Sequence, residues 1–421
     1  MKILWITNSV MPEIAQSLGW LRRGSGGWMS AMLNQLRKMP DITIAVASIS
    51  KKIHSPIHEN INGVEYWILP SKTATWKYNT RLEQYWLTIK STFVPDVVHI
   101  HGTEFTHGLA YIKACGPANV IVSIQGIIGE IGNEYYAGIS EKDILETETL
   151  SDKILKKGIR YTKQQYLLRG EYEKEFLRLV KHVIGRTDWD KDIVLNVNPQ
   201  LQYYHNNESL QDCFYQSTWD YGQCDPHSIF VSQCALPIKG FHILLRAMPL
   251  ILAEFPDAQI YIAGGNTVYP ASIKQKLLDT GYNVYLRQLI QEYNLKGKIT
   301  FLGALSADEM CATYLKSNVF VLCSAIENSS NALAEAQCVG IPTIATSVAG
   351  NPTMTQNGRL SLQYNFEDYI QLAENIIKVF SSQYDVKRFS RIRATALTRH
   401  NRKKNMVELM HIYEQVINND D

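Results

Sequence analysis

Residues 324–342 read Ser324-Ala-Ile-Glu327-Asn-Ser-Ser-Asn331-Ala-Leu-Ala-Glu335-Ala-Gln-Cys-Val-Gly340-Ile-Pro342. They follow a short β-rich run, Val319 to Leu322, pass through a helix, and leave by Gly340-Ile-Pro342 into a second run, Thr343 to Ala345. Strand, helix and strand in that order make a parallel sheet with helices on its faces. Glu327 stands at a strand's carboxyl end, where parallel sheets receive ligands, and Asn328 to Asn331 offer free amide hydrogens at a helix start. Such amides, with the helix dipole, suit a phosphate. Glu335 comes one to two turns later, so both carboxylates can grip hydroxyl groups in one crevice, and a sugar and a ribose supply such hydroxyls. On spacing alone, two carboxylates eight positions apart are more often a solvated helix face.

Outward from this stretch the same alternation recurs. In the second half Ile229 to Ser232, Gln259 to Ala263 and Ile299 to Leu302 are expected strands. In the first half they are Ile3 to Thr7, Ile42 to Ile49, Tyr66 to Leu69, Val97 to Ile100, Val120 to Ile124 and His182 to Ile184. Helices fall between them; after Gly27, for example, Trp28, Met29, Met32, Leu33 and Leu36 share one face. The chain of 421 residues fits two domains of roughly 200 residues each. The boundaries expected are 1–205, a linker at 206–226 that packs through Phe214, Tyr215, Trp219 and Tyr221, a second domain at 227–388, and a helical segment at 389–421 that returns to the first domain.

With 42 basic and 40 acidic residues, global charge argues against a nucleic-acid partner. No run of about 18 apolar residues occurs, and Ile3 to Ile6 is too short for a secretory leader, so the expectation is a cytosolic protein. The seven cysteines are scattered, with no Cys-x-x-Cys pair, which fits reduced thiols.

Glu327, seven residues, Glu335 and the Gly-x-Pro turn together resemble the donor signature of retaining GT-B glycosyltransferases of family four. The resemblance extends in order over most of the chain: Gly26-Gly27, Pro95-Asp96-Val-Val-His99-Ile-His101, Pro237-Ile-Lys239-Gly240 behind a strand, Ile262-Ala-Gly264-Gly265-Asn266, and Phe301-Leu-Gly303-Ala-Leu305. It implies an α/β GT-B fold, two Rossmann-like domains facing each other across a crevice, with the acceptor lobe first and the donor lobe second. It also implies roles. Glu327 would bind hydroxyls of the donor sugar, helped by the amides of Asn328, Ser329 and Ser330. Glu335 would hold the ribose, Leu305 would flank the base, and Gly264 belongs to the donor site. Lys239 would neutralise the departing diphosphate, and Gly27 would let backbone approach it. The implied reaction transfers a hexose-type unit from a nucleoside diphosphate sugar such as a UDP-sugar to a hydroxyl acceptor, as in surface polysaccharide or glycolipid synthesis. No metal or other cofactor is needed, because positive groups meet the developing charge directly.

The chain departs from this pattern at three places. Ser232-Gln233 stands where an arginine usually completes the diphosphate clamp, leaving Gln233 to donate a hydrogen bond and Arg246, Arg22 or Arg23 as sources of charge. Gln125-Gly126 replaces a histidine at the catalytic crevice; Gln125 can orient a hydroxyl but cannot transfer a proton. Ala349-Gly350-Asn351-Pro352-Thr353 replaces a Gly-Gly turn. A nucleotide-sugar epimerase of the same fold, or a silent nucleotide-sugar-binding protein, are the alternatives these departures leave.

Other signals point elsewhere. His99 and His101 alternate along a strand and, with Glu104 or His107, could ligate a metal, though strand-end histidines are more often polar neighbours of a crevice. Asp188-Trp-Asp190 imitates a metal signature but fits a helix start capped by Thr187. Gly24-Ser-Gly26-Gly27 lacks the dinucleotide spacing. Trp28, Trp76 and Trp86 could stack on an acceptor, but core packing is their commoner use. Residues 153–181 hold nine basic residues against three acidic ones, with Tyr161, Tyr166, Leu167, Leu168, Phe176 and Leu177. A solvated face is the commoner reading; an anionic membrane, carrying a lipid-linked acceptor, is the sharper one.

Overall fold

The computed structural model describes residues 1–20, 27–71, 76–381 and 386–420. It contains two parallel sheets in two compact units. The first unit is Met1–Glu130, Leu167–Leu210 and His400–Asp421; the second is Ile131–Tyr166 and Gln211–Arg399.

The first unit holds β1 (Lys2–Thr7), β2 (Thr43–Ser50), β3 (Ile57–Ile61), β4 (Val64–Pro70), β5 (Val97–His101), β6 (Val120–Ser123), β7 (His182–Gly185) and β8 (Gln202–His205). Their order is β3-β4-β2-β1-β5-β6-β7-β8, parallel except for the β3–β4 hairpin. Alternation along the strands divides the apolar residues between two cores. Leu4, Ile6, Ala45 and Ala47 face one, closed by Trp86, Leu109, Phe176 and Leu177. Ile3, Trp5, Ile44 and Val46 face the other, closed by Met29, Met32, Leu33 and Leu36 and by the C-terminal residues Met406, Leu409 and Tyr413. Each fully buried valine, leucine, isoleucine, phenylalanine or methionine among them contributes about 1.5–3 kcal/mol. Trp5 anchors the last helix through its indole N–H, which donates to the Tyr413 hydroxyl at 3.1 Å.

The second unit holds β9 (Ser228–Val231), β10 (Gln259–Ile262), β11 (Ile299–Phe301), β12 (Val319–Leu322), β13 (Thr343–Thr346) and β14 (Leu362–Tyr364), in the order β11-β10-β9-β12-β13-β14. This is the doubly wound Rossmann order, and its reversal falls between β9 and β12. The two run parallel there, Val319 opposite Ile229 and Phe320 opposite Phe230.

All eleven expected strands form, within two residues at each end. Three others, β3, β8 and β14, were not anticipated, and each lies at a sheet edge. The units also differ from the contiguous division at 205/206. Residues 131–166 join the second unit, where the Ala137 carbonyl accepts from His242 Nε2 at 2.8 Å and the Asp152 carboxylate accepts from the Gly281 amide at 2.6 Å. An amphipathic helix shows in sequence that it packs, not against what. Residues 206–210 belong to the first unit and 211–226 to the second. There Trp219 is fixed by its amide to Val339 O at 2.9 Å and its indole to Ser317 O at 2.8 Å. The C-terminal segment divides too, 389–399 in the second unit and 400–421 in the first.

Candidate functional site

The switch point brings together the loops that follow β9 and β12. Behind β9 a single 3-10 turn, Pro237–Lys239, leads through Gly240 into the helix Phe241–Glu254. Gly240 is left-handed at φ 66°, and a Cβ there would collide with the Cys323 carbonyl, so glycine lets the two loops touch. The Ala325 amide then donates to Ile238 O at 2.8 Å. Lys239 Nζ consequently lies 2.5 Å from Glu327 Oε1, an ion pair between positions 88 residues apart. Both side chains stay partly accessible, at 22% and 16%.

Glu327 is held from several sides. Ser324 Oγ donates to the same Oε1 at 2.9 Å, and the Gly350 amide donates to Glu327 O at 2.9 Å. Ser324 is fixed in turn, its carbonyl accepting from Thr346 Oγ1 at 2.7 Å, while Asn351 Nδ2 donates to Thr346 O at 3.0 Å. The turn Ala349-Gly350-Asn351, which departs from the expected Gly-Gly pattern, thus supports Glu327 from behind.

Asn328 and Ser329 lead into the helix Asn331–Val339, whose N-cap Ser330 accepts from the Leu333 amide at 3.4 Å. That places the helix N-terminus beside Glu327, with its dipole available to an anion. Glu335 sits on this helix, and Tyr314 donates its hydroxyl to Glu335 Oε2 at 3.2 Å and to Ala332 O at 3.0 Å. Burial pushes the Glu335 carboxyl up to about 8, with the Tyr314 hydrogen bond pulling the other way. A carboxyl so desolvated gains from hydroxyl donors.

Gly264 and Gly303 pair across the ends of β10 and β11, the Gly264 amide donating to Gly303 O at 2.7 Å. Leu305 follows, half-buried, just before the capping box of Ser306 and Glu309. Gln233 is exposed in the loop after β9. Arg246, one alternative for the missing guanidinium, is directed elsewhere, its Nη2 donating to Tyr285 OH at 2.6 Å. Arg22, Arg23 and the Gly24–Gly26 loop lie outside the described residues, while Gly27 opens the helix Gly27–Leu36 in the first unit.

Gln125 also belongs to the first unit. Its Oε1 accepts from Arg186 Nη2 at 3.3 Å, and the same nitrogen donates to Ile124 O at 2.6 Å. Arg186 is buried and paired with buried Glu208. Burial lowers its affinity for the proton, and Asp190 and Glu104 oppose that shift. Sequence reasoning missed Arg186, Ser324 and Tyr314. Only the position of Arg186 directly after β7 gave a signal.

His99 and His101 stack at 3.8 Å between ring centroids. Both His99 nitrogens are engaged, Nδ1 with Tyr413 OH and Nε2 with Ser123 Oγ, each at 2.6 Å. Burial lowers His99 well below its usual value and His101 to about 3. Among the described residues no cluster of three or more metal-ligating side chains occurs. Asp188 and Asp190 do start a helix, with Thr187 accepting from the Asp190 amide at 3.1 Å. Trp86 is core.

The basic stretch 153–181 is not one amphipathic helix. It breaks at left-handed Lys156 between Leu150–Leu155 and Ile159–Leu179, and Phe176 and Leu177 are buried in the sheet's core rather than offered to a surface.

Residues 224–396 match the family described as Glycosyl transferases group 1. A D-inositol 3-phosphate glycosyltransferase of Mycolicibacterium vanbaalenii is 30% identical over 122 residues, 29% of this chain and 26% of that protein. The chain matches its curated relatives over little more than a third of their length or less, 30%, 37% and 26% in three cases. Sucrose-phosphate synthase from Thermosynechococcus elongatus superimposes with a TM-score of 0.69 at 14% identity, over 99% of this chain and 98% of that one. Anabaena HepE in complex with UDP and glucose gives 0.62 at 14% identity, over 100% and 99%. The fold is GT-B, an α/β architecture of two Rossmann-like domains.

Proposed function

We propose that the chain is a glycosyltransferase that moves a hexose-type sugar from a nucleoside diphosphate sugar to a hydroxyl acceptor with retention at the anomeric carbon. The Lys239–Glu327 pair at the switch point of the second sheet carries this reading. In the free protein each is the other's counter-ion. A bound donor would divide them, diphosphate taking Lys239 and sugar hydroxyls taking Glu327. The bond from the anomeric carbon to the diphosphate breaks, the acceptor oxygen bonds from the same face, and its proton leaves toward the departing phosphate. Lys239 and the helix N-terminus at Asn331 stabilise the negative charge as it forms, so the reaction asks for no metal. Glu335 receives the ribose, Leu305 and Gly264 lie on the base side, and Gln233 supplies a neutral donor. Gln125, steadied by Arg186, orients a hydroxyl.

In this reading the second half of the chain binds donor and the first half acceptor. The complex of HepE with UDP and glucose supports a UDP-sugar as the first donor to try. Among the described residues no helix is long and apolar enough to cross a membrane. We place the enzyme on the cytoplasmic side, in polysaccharide or glycolipid assembly, touching anionic membrane through residues 153–181.

Thermal shift with UDP, GDP, ADP and NAD tests the reading. Stabilisation by one nucleoside diphosphate, weakened in Glu335→Ala, supports it; a response to NAD alone, or to none, overturns it. Isomerised free sugar in the absence of acceptor would instead mark an epimerase.

A further inference from the structure

We infer that the helices Leu150–Leu155 and Ile273–Leu277 of the second unit form one docking surface for an anionic lipid bilayer. The inference deepens the membrane contact just proposed, on which it rests, and moves it away from the long helix Ile159–Leu179.

Four aliphatic side chains stand unusually far out of the protein here: Leu150 at 77% exposure, Ile154 at 76%, Ile273 at 79% and Leu277 at 71%. Each helix carries its pair four residues apart, so each presents them on one face. Leu155 and Leu278 are exposed beside them. The two helices belong to one surface, because hydrogen bonds tie both ends of the first to the residues that follow the second. Thr149 Oγ1 donates to Asp279 O at 3.0 Å, the Gly281 amide donates to the Asp152 carboxylate at 2.6 Å, and Lys157 Nζ donates to Leu278 O.

Charge selects the occupant. Lys153 on the first helix, Lys156 at its C-cap, and Lys274 and Lys276 on the second helix are exposed. Between 150 and 160 and between 271 and 278 the only acid is Asp152, which is buried and committed to the Thr149 and Gly281 amides. Of the flanking acids, Asp279 is engaged by Arg287 at 2.5 Å, and Glu148 offsets Lys153 at 3.6 Å, which leaves Lys156, Lys274 and Lys276 as the net positive charge. Two copies of this surface would repel, whereas an anionic bilayer offers both opposite charge and an apolar boundary for the leucines and isoleucines. On the helix Ile159–Leu179 the exposed leucines stand out less, at 38–49%, and two of its charges are paired, Lys174 with Glu171 at 2.9 Å and Glu175 with Lys113 at 2.6 Å.

The test is co-sedimentation of the full chain with vesicles of equal phosphatidylglycerol and phosphatidylcholine, and with pure phosphatidylcholine, at low and high salt. Binding is expected to the anionic vesicles only and to weaken with salt. Ile154→Ser with Leu277→Ser, and separately Lys153→Glu with Lys274→Glu and Lys276→Glu, should each weaken partitioning by about tenfold or more, while Lys174→Glu leaves it unchanged. No binding to anionic vesicles, equal binding by the variants, or an equal loss in Lys174→Glu overturns the inference. So does gel filtration that shows a patch-dependent dimer which ignores vesicles. Nucleotide-induced thermal shifts in the same variants should match wild type; their absence in every protein would count against the donor-site reading, not against this surface.

Discussion

Lys239 Nζ and Glu327 Oε1 lie 2.5 Å apart, joined by loops that follow neighbouring strands on either side of the sheet's switch point. In the free protein each charge is neutralised by the other. Removing either side chain should therefore cost turnover rather than fold, because both stay partly solvated. Lys239→Ala and Glu327→Ala are each expected to lower turnover by about tenfold to a thousandfold with unchanged circular dichroism. On the proposed reading the two act on one donor, so the double variant should lose less than the product of the two.

Glu335 gives the site a pH dependence. Its carboxyl is raised from 4.5 to about 8 in the folded chain. Between those values the folded state keeps a proton that the unfolded state has released, so Glu335 lowers stability progressively as pH rises through that window. A ribose diol donates best to the ionised carboxylate, so nucleotide affinity should strengthen over the same rise. Melting curves and titrations from about pH 5 to about pH 8 check both trends, and Glu335→Gln should flatten both.

Gly240 sets the separation of the two loops. Gly240→Ala forces a side chain into left-handed backbone and against the Cys323 carbonyl. The expected loss is about 1–3 kcal/mol in denaturant unfolding, with turnover impaired because Lys239 is the preceding residue. A variant as stable and active as wild type would contradict the close approach.

Arg186 and Glu208 are a buried ion pair in the first unit. Arg186→Ala strands a carboxylate in the interior and should cost about 3–5 kcal/mol, whereas Arg186→Met with Glu208→Leu should recover much of it. Urea unfolding of the two variants measures the difference.

If Lys239 and the helix at Asn331 supply the positive potential, as the proposed reaction requires, turnover should survive excess EDTA. A loss restored by a divalent cation would show that the donor diphosphate is met by a metal instead.

Much of the fold was legible because its central strands are buried on both faces and read as continuous apolar runs, such as Val319 to Leu322. The edge strands escaped for the converse reason. Ile57–Ile61 alternates with exposed polar residues, Gln202–His205 is short and mostly accessible, and Leu362–Tyr364 is only three residues long. At the site, Glu327, Glu335 and Lys239 stood out through local motifs. Their supports did not, because Tyr314 to Glu335 and Thr346 to Ser324 are contacts made across different strands and helices. The placement of residues 131–166 was hidden similarly, since His242 recognises a backbone carbonyl, which leaves no mark in sequence.

The most direct test is calorimetric titration of UDP and of a UDP-sugar into wild type, Lys239→Ala and Glu327→Ala. Lys239→Ala should weaken both ligands by about tenfold or more, whereas Glu327→Ala should weaken the UDP-sugar and spare UDP. Absence of binding by wild type, or wild-type affinities in both variants, would contradict a donor site built on this pair.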